Sequence, residues 1–252
     1  MTDARGVDAV DGMTGARAPR IRPPIFEMGL KGYMWGADAV RLAEAADRLA
    51  RELDVRIVFD PQHVDIPAVV AATHDLLVFA QHMDPVPVGR GVGYVLAEAL
   101  RDAGAVGTLL NHAEHRLTLA DIDRSIGRAR ETGLATIVCC DSPEEAAAVA
   151  MLGPDIVLAE PPDLIATGRS AATELPGFVE RAVELVGRID PSVVVMCGAG
   201  VRTPEDAARM IALGVGGTGS TSAILKSEDP IATMTAMIEA VHRAWTERTG
   251  HP

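Results

Sequence analysis

Lysine is almost absent from this chain of 252 residues, although basic residues in general are not. Lysine and arginine together number 23, and only Lys31 and Lys226 among them are lysines. An ammonium group is a compact point charge that the planar guanidinium group does not replace geometrically. We therefore expect lysine to stay where ammonium chemistry is needed.

Excess positive charge, long apolar runs and paired cysteines are also missing. The net charge of −12 argues against a nucleic-acid or an anionic membrane partner, and no apolar run approaches the ~20 residues of a membrane span. The cysteines number three, and Cys139 and Cys140 are adjacent, which predicts a reduced chain in the cytoplasm. Residues 1–20 are polar and are expected to form a disordered extension.

Eight short apolar runs alternate with Ala-rich amphipathic stretches. The runs are continuous rather than alternating, as in parallel strands buried on both faces; they cover residues 25–30, 55–60, 76–80, 106–110, 135–139, 155–159, 193–197 and 215–220. Helix starts are indicated by Thr118, Ser142-Pro143 and Thr203-Pro204, and glycines follow at the ends. The pattern predicts a (β/α)8 barrel as a single domain over residues 21–252. A doubly wound sheet would normally show G-x-G-x-x-G after its first strand, and residues 29–36 lack it.

Polar residues follow the predicted strands at one end of such a barrel, where active sites lie. Lys31 follows the first strand, His112 the fourth and Glu160 the sixth. The lysine can neutralise charge on a substrate oxygen, the histidine can polarise a carbonyl, and the glutamate can act as a general base. Backbone N–H groups in the last two loops can hold a phosphate; the candidates there are Gly198, Gly200, Thr221 and Ser222.

Metal and cysteine chemistry are disfavoured by the same sequence. The chain has 7 histidines, but neither H-x-H at the first strand tip nor H-E-x-x-H occurs, so a metal hydrolase is not expected. Cys140 stands near a strand tip, where a small buried hydrophobic residue is the ordinary interpretation. No metal site is predicted.

Several long segments resemble one family. AEPPDLIATG (159–168) is similar to the E-P-P-E-L-I-G-T-G segment of archaeal-type triose-phosphate isomerases, and FAQHMDP (79–85), GAVGTLLNHAEHR (104–116) and CGAG (197–200) match in the same order. The resemblance extends from about residue 25 to 240. It implies an isomerase of a small phosphorylated hydroxy-carbonyl compound that needs no metal or organic cofactor.

The resemblance also implies a role for each candidate residue. Glu160 corresponds to the base, His112 to the electrophile and Lys31 to the active-site lysine, while Glu114 could hold Lys31 in an ion pair. Residues 161–168 correspond to the lid loop over the substrate. Phosphate contacts are implied for Gly168, Gly198, Gly200, Thr221 and Ser222. The Pro/Gly-rich loop 83–95 is expected to dock into a partner subunit, giving a homodimer or homotetramer.

The sequence departs from the family pattern around the substrate. Gly29 replaces the asparagine of N-x-K, and Ala166 replaces a lid glycine; Ala113, Val92 and Ala223 are the other departures. Such local changes suggest a shifted substrate. Glyceraldehyde 3-phosphate with dihydroxyacetone phosphate is one candidate pair, and a four-carbon ketose phosphate such as an erythrulose phosphate is the alternative. A catalytically silent phosphate-binding relative is the remaining hypothesis.

Overall fold

Eight parallel strands close into a barrel in a computed structural model that describes residues 21–164 and 169–250. The strands are β1 (Ile25–Gly29), β2 (Arg56–Asp60), β3 (Leu77–Ala80), β4 (Gly107–Leu110), β5 (Ala135–Cys140), β6 (Ile156–Ala159), β7 (Val194–Cys197) and β8 (Gly217–Gly219). Because β1 pairs in parallel with both β2 and β8, the open sheet is excluded and the predicted (β/α)8 barrel is confirmed. The extension predicted for residues 1–20 lies outside the described residues.

Helices surround the barrel and connect its strands. They are α1 (Gly36–Glu52), α2 (Ile66–Ala72), α3 (Ala97–Asp102), α4 (Leu119–Thr132), α5 (Pro143–Ala150), α6 (Ala171–Glu174), α7 (Pro176–Ile189), α8 (Pro204–Ala212), α9 (Ser222–Leu225) and α10 (Pro230–Thr249). None of the helices in the two described ranges is long and apolar enough to cross a membrane.

The predicted helix starts are confirmed by side-chain caps. Thr118 Oγ1 accepts a hydrogen bond from the Asp121 N–H at 3.1 Å, and Ser142 Oγ accepts one from the Glu145 N–H at the same distance. Thr203 takes part in a complete capping box at the start of α8. These caps satisfy N–H groups that have no partner inside the helix, so α4, α5 and α8 each begin at a sharply defined residue.

Two apolar clusters hold the barrel together, one inside the strands and one between strands and helices. The interior cluster includes Phe79 and Leu158, and the outer one contains Phe26 and Phe59. Gly107 is required inside because a Cβ there would lie 2.3 Å from the Phe79 ring. The interior is therefore filled by side chains, and the cavity that contains the candidate residues opens above this apolar layer.

Candidate active site

A cavity of about 850 Å³ lies at the carboxyl ends of the strands. Its walls include Lys31, His112 and Glu160, the three residues that the strand-tip pattern indicated. Most other candidates also line it, namely Gly29, Glu114, Gly200, Thr221 and Ser222. Gly168 lies outside the described residues, and Gly198 lies against the Glu160 side chain instead of in the cavity wall. The fold thus brings the charged candidates into one site.

Lys31 is held in an unusual backbone conformation directly after β1. Its φ is +48°, in the left-handed region that non-glycine residues seldom adopt. The side-chain amides of Gln62 and Gln81 both donate to its carbonyl oxygen, the second at 3.1 Å. Its Nζ lies 2.7 Å from Glu114 Oε1, in the ion pair considered from the sequence. Backbone and ammonium group are therefore both positioned before a substrate arrives.

His112 is held as a neutral imidazole with a defined tautomer. Burial, followed by the charge of Lys31, lowers its pKa to about 4. The Glu114 backbone N–H donates to His112 Nδ1 at 3.1 Å, so the ring proton is on Nε2 and can be donated to a ligand. This N–H comes from the turn in which the His115 N–H donates to the His112 carbonyl at 2.8 Å. A neutral histidine as hydrogen-bond donor is the known pattern of the family that the sequence resembles.

Glu160 combines the burial and the neighbours that suit a general base at neutral pH. Burial, and then the nearby Glu27 carboxyl, raise its pKa to about 7, while Lys31 and the Ala199 N–H act in the opposite direction. The Ala199 N–H donates to Glu160 Oε1 at 3.0 Å. A base titrating near 7 is ionised in a substantial fraction of molecules and remains strong enough to accept a proton.

The two glycines after β7 leave room for the Glu160 side chain and for the backbone of Arg169. A Cβ at Gly198 would lie 2.3 Å from Glu160 Oε1, and one at Gly200 would lie 1.8 Å from the Arg169 carbonyl oxygen. Gly200 also has a φ of +75°. The Ala171 N–H donates to the Ala199 carbonyl at 3.1 Å. The β7 loop therefore contacts both Glu160 and the segment 169–171, a packing reason for these glycines besides the predicted phosphate role.

Comparison with known proteins identifies the family to which this chain belongs. The family model described as triosephosphate isomerase matches residues 28–241, which include Lys31, His112 and Glu160. This chain belongs to the triosephosphate isomerase family. The resemblance seen in the sequence is thereby confirmed.

Relatives named triosephosphate isomerase share much of the sequence. The protein from Methanobacterium bryantii is 38% identical over 220 residues, 86% of this chain and 97% of the relative. That from Methanosarcina barkeri is 40% identical over 220 residues, 86% and 99% of the two chains. That from Halobacterium salinarum is 47% identical over 179 residues, 71% and 82% of the two. The similarity thus covers nearly the whole length of the first two relatives.

Both lysines of this triosephosphate isomerase family member line the same cavity. Lys226 lies just after α9, with its Nζ 5.0 Å from the centre of the Tyr33 ring, within cation–π range. The scarcity of lysine had singled out Lys226, but its position along the chain assigned it no role. In the structure Lys226 lines the cavity together with Thr221 and Ser222. It therefore adds a positive charge to the cavity of an acidic protein.

The histidines near the cavity pack against one another and form no metal cluster. The rings of His82 and His115 stack with their centres 4.0 Å apart, and His63 Nε2 lies 2.9 Å from the His82 carbonyl oxygen. Within the described ranges, no group of three or more His, Cys, Asp or Glu side chains is arranged to hold a metal ion. These rings support the wall next to His112.

Sequence reasoning missed two acids inside the barrel. Glu27 lies within β1 and Asp60 ends β2, and both line the cavity beneath Lys31. The available signal was an acid in each of the apolar runs IFEMG and RIVFD. A Cβ at Gly29 would lie 2.8 Å from Glu27 Oε1. The glycine that replaces the family's usual asparagine is therefore next to a carboxyl group supplied from two residues earlier.

Proposed function

We propose that this chain is an aldose–ketose isomerase that interconverts a small phosphorylated hydroxy-aldehyde and hydroxy-ketone without a cofactor. The observation that carries the proposal is the convergence of Glu160, with its raised pKa, neutral His112 and Lys31 in one cavity. Family membership supports the same class of reaction. Glyceraldehyde 3-phosphate with dihydroxyacetone phosphate is the reference substrate pair, because the relatives are named for it.

The geometry supports a proton transfer between adjacent carbons. Glu160 removes the proton from the carbon beside the carbonyl, and the electron pair of that C–H bond forms the enediolate. His112 Nε2–H and the Lys31 ammonium group stabilise the negative oxygens that develop. Protonated Glu160 then returns the proton to the neighbouring carbon, while His112 Nε2 gives its proton to the former carbonyl oxygen and takes up the proton of the former hydroxyl group. One carbon is oxidised to a carbonyl as its neighbour is reduced to an alcohol, so the reaction requires no external electron acceptor.

The remaining candidates fit the phosphate end of the substrate. Thr221 and Ser222 lie at the start of α9 and line the cavity, as does Lys226. Gly200 and Gly168 are further proposed phosphate contacts, and the segment 161–168 is the proposed lid. Enclosure by a lid would exclude water from the enediolate and strengthen the interactions with Lys31 and His112.

A four-carbon ketose phosphate is the second candidate substrate, and one observation favours it. The wall at Gly29 has lost a side chain and gained the carboxyl group of Glu27, whose Oε1 lies 2.8 Å from the position of a Cβ at residue 29. This change adds a charged hydrogen-bonding group where a substrate with another hydroxyl group could use it.

We also propose that the protein works as a homodimer or homotetramer in the cytoplasm. The loop between β3 and α3 is closed at its base by hydrogen bonds between Asp84 and Val95. Three apolar residues on it, Val88, Val92 and Tyr94, are exposed, Val92 completely. Apolar residues so placed suit burial by a second copy. A light-scattering mass near the 26.5 kDa of one chain would contradict this assembly.

A coupled isomerase assay over phosphorylated sugars of three to five carbons tests the function. We expect turnover of at least one aldose–ketose pair by the wild type, and a large loss in Glu160→Asp, whose carboxyl group is retracted by one methylene. The variant also shows that the activity belongs to this protein and not to a contaminating isomerase. No turnover across the panel would support the silent relative instead, and ordinary efficiency with glyceraldehyde 3-phosphate would remove the argument for a shifted substrate.

A further inference from the structure

Glu27 and Asp60 place two carboxyl groups side by side at the floor of the cavity. Gly29 pairs with Asp60 across the β1–β2 ladder, and Glu27 precedes Gly29 by two residues on the same face of β1. A single point, the Cβ position at Gly29, lies 2.8 Å from Glu27 Oε1, 3.6 Å from Asp60 Oδ2 and 3.8 Å from Thr221 Oγ1. Three polar side chains, from the middle of β1, the end of β2 and the segment after β8, therefore converge here.

Asp60 has no other partner to explain its presence in the barrel. Its side chain is fully buried, and apart from a proton shared with Glu27 neither oxygen receives a hydrogen bond from any part of the chain that the structure describes. A buried carboxyl group without donors is costly. Such a group is tolerated where a ligand or a shared proton completes its hydrogen bonding.

The two neighbouring carboxyl groups favour a state in which one of them is protonated. Burial raises the pKa of both carboxyl groups, and the charge of Glu27 raises that of Asp60 further. Two adjacent carboxylates cannot both ionise at low cost, so one proton is shared between them. The proton belongs mainly to the deeper Asp60, which donates to Glu27. The pair then presents both an acceptor and a donor.

Glycines on both sides leave the Glu27 carboxyl group at the cavity wall. Besides Gly29, Gly219 of β8 pairs with Glu27, and a Cβ on it would lie 2.5 Å from Glu27 Oε2. A side chain at either position would displace the carboxyl group. The location is therefore specific, between β1 and β8 and next to the loop that carries Thr221.

We propose that the Glu27–Asp60 pair, with Thr221, is a subsite for a sugar hydroxyl group and selects phosphorylated substrates of four or more carbons. A hydroxyl group both donates and accepts a hydrogen bond, which matches a singly protonated carboxyl pair. In a triose phosphate one oxygen carries the phosphate, and the other two become the enediolate oxygens that His112 and Lys31 bind. A third hydroxyl group exists only when the chain has a fourth carbon.

This inference rests on the proposed function for its choice of ligand, but it is tested by binding alone. Glycerol 1-phosphate and erythritol 4-phosphate are unreactive polyol phosphates that differ by one CHOH unit, and calorimetry measures their dissociation constants without any turnover. Failure of the isomerase assay would therefore not decide the result. We expect the wild type to bind the four-carbon compound about tenfold more tightly or better, since a hydrogen bond to a charged group is involved.

Two nearly isosteric variants and one control locate the effect. Glu27→Gln and Asp60→Asn should each reduce the preference to about twofold or less while changing the affinity for glycerol 1-phosphate little. Asp155→Asn alters a different buried carboxyl group, whose Oδ2 accepts from the Thr136 N–H at 2.8 Å, and should keep the wild-type preference. Far-UV circular dichroism establishes that each variant is folded.

Two results would overturn the subsite. The first is an equal affinity of the wild-type protein for both compounds, a result that can be interpreted without any variant. The other is an equal loss of affinity for both compounds in Glu27→Gln, because this would show that the pair acts on the part of the ligand that they share.

Discussion

Replacement of Glu160 by glutamine is expected to lower kcat/KM by about 10³-fold, because the amide keeps the shape of the side chain and cannot accept the carbon-bound proton. The Ala199 N–H, which now donates to Glu160 Oε1 at 3.0 Å, can still donate to an amide oxygen. The comparison of Glu160→Gln with the wild type therefore measures the loss of the base without a change in the packing of the side chain. Initial rates of the wild type and the variant, with the sugar phosphate pair found by the panel, measure the effect.

A surface carboxylate provides the control for Glu160→Gln. Glu239 lies on α10, half exposed, with its Oε2 3.6 Å from Arg243 Nη1. The change Glu239→Gln removes the same charge far from the cavity and should leave kcat/KM within about twofold of the wild type. Retention of more than a tenth of the wild-type rate by Glu160→Gln would remove Glu160 from the role of base.

The pH dependence of the wild type reports on the same residue. Burial raises the pKa of Glu160 to about 7, and only the ionised carboxylate can take the proton. Thus kcat/KM should fall about tenfold for each pH unit below 7 and level off above it. His112, with its pKa lowered to about 4, stays neutral through this range and adds no break. An acid limb near 4.5, the ordinary value of a glutamate, would contradict the buried base.

The barrel could be predicted because its signals are local. Each buried parallel strand appears as a continuous apolar run, and the pairs Ser142-Pro143 and Thr203-Pro204 mark helix starts that side-chain caps confirm. The short helices α2 and α3 gave no such signal, since a helix of one or two turns shows too little of the 3.6-residue period to be recognised.

Only part of the site follows from position along the chain. Residues just past a strand lie at the end of the barrel where the cavity opens, which is why Lys31, His112 and Glu160 could be predicted from the sequence. Glu27 lies inside a strand, and its direction depends on which alternate residues of β1 face the barrel interior. The side-chain amide of Gln62 donates to the carbonyl oxygen of Lys31, whose backbone is in the left-handed conformation. Neither the direction of the Glu27 side chain nor the contact between Gln62 and Lys31 can be predicted from the order of the residues alone.

Substitution of Lys31 is expected to have the second large effect on kcat/KM. Two variants separate the contribution of its positive charge from that of its shape. Lys31→Met removes the ammonium group that would stabilise the enediolate, and kcat/KM should fall about 10²- to 10³-fold. Lys31→Arg keeps a positive charge on a larger planar group that does not fit the point-charge site. We expect a comparable loss for arginine if position matters as much as charge.

The pH profiles of the two Lys31 variants should differ even where their rates are similar. The positive charge of Lys31 now lowers the pKa of Glu160 and of His112. Its loss in Lys31→Met should therefore move the acid limb of kcat/KM above pH 7, whereas Lys31→Arg should leave the limb near the wild-type position. An identical limb in all three proteins would mean that the ammonium group does not act on the base.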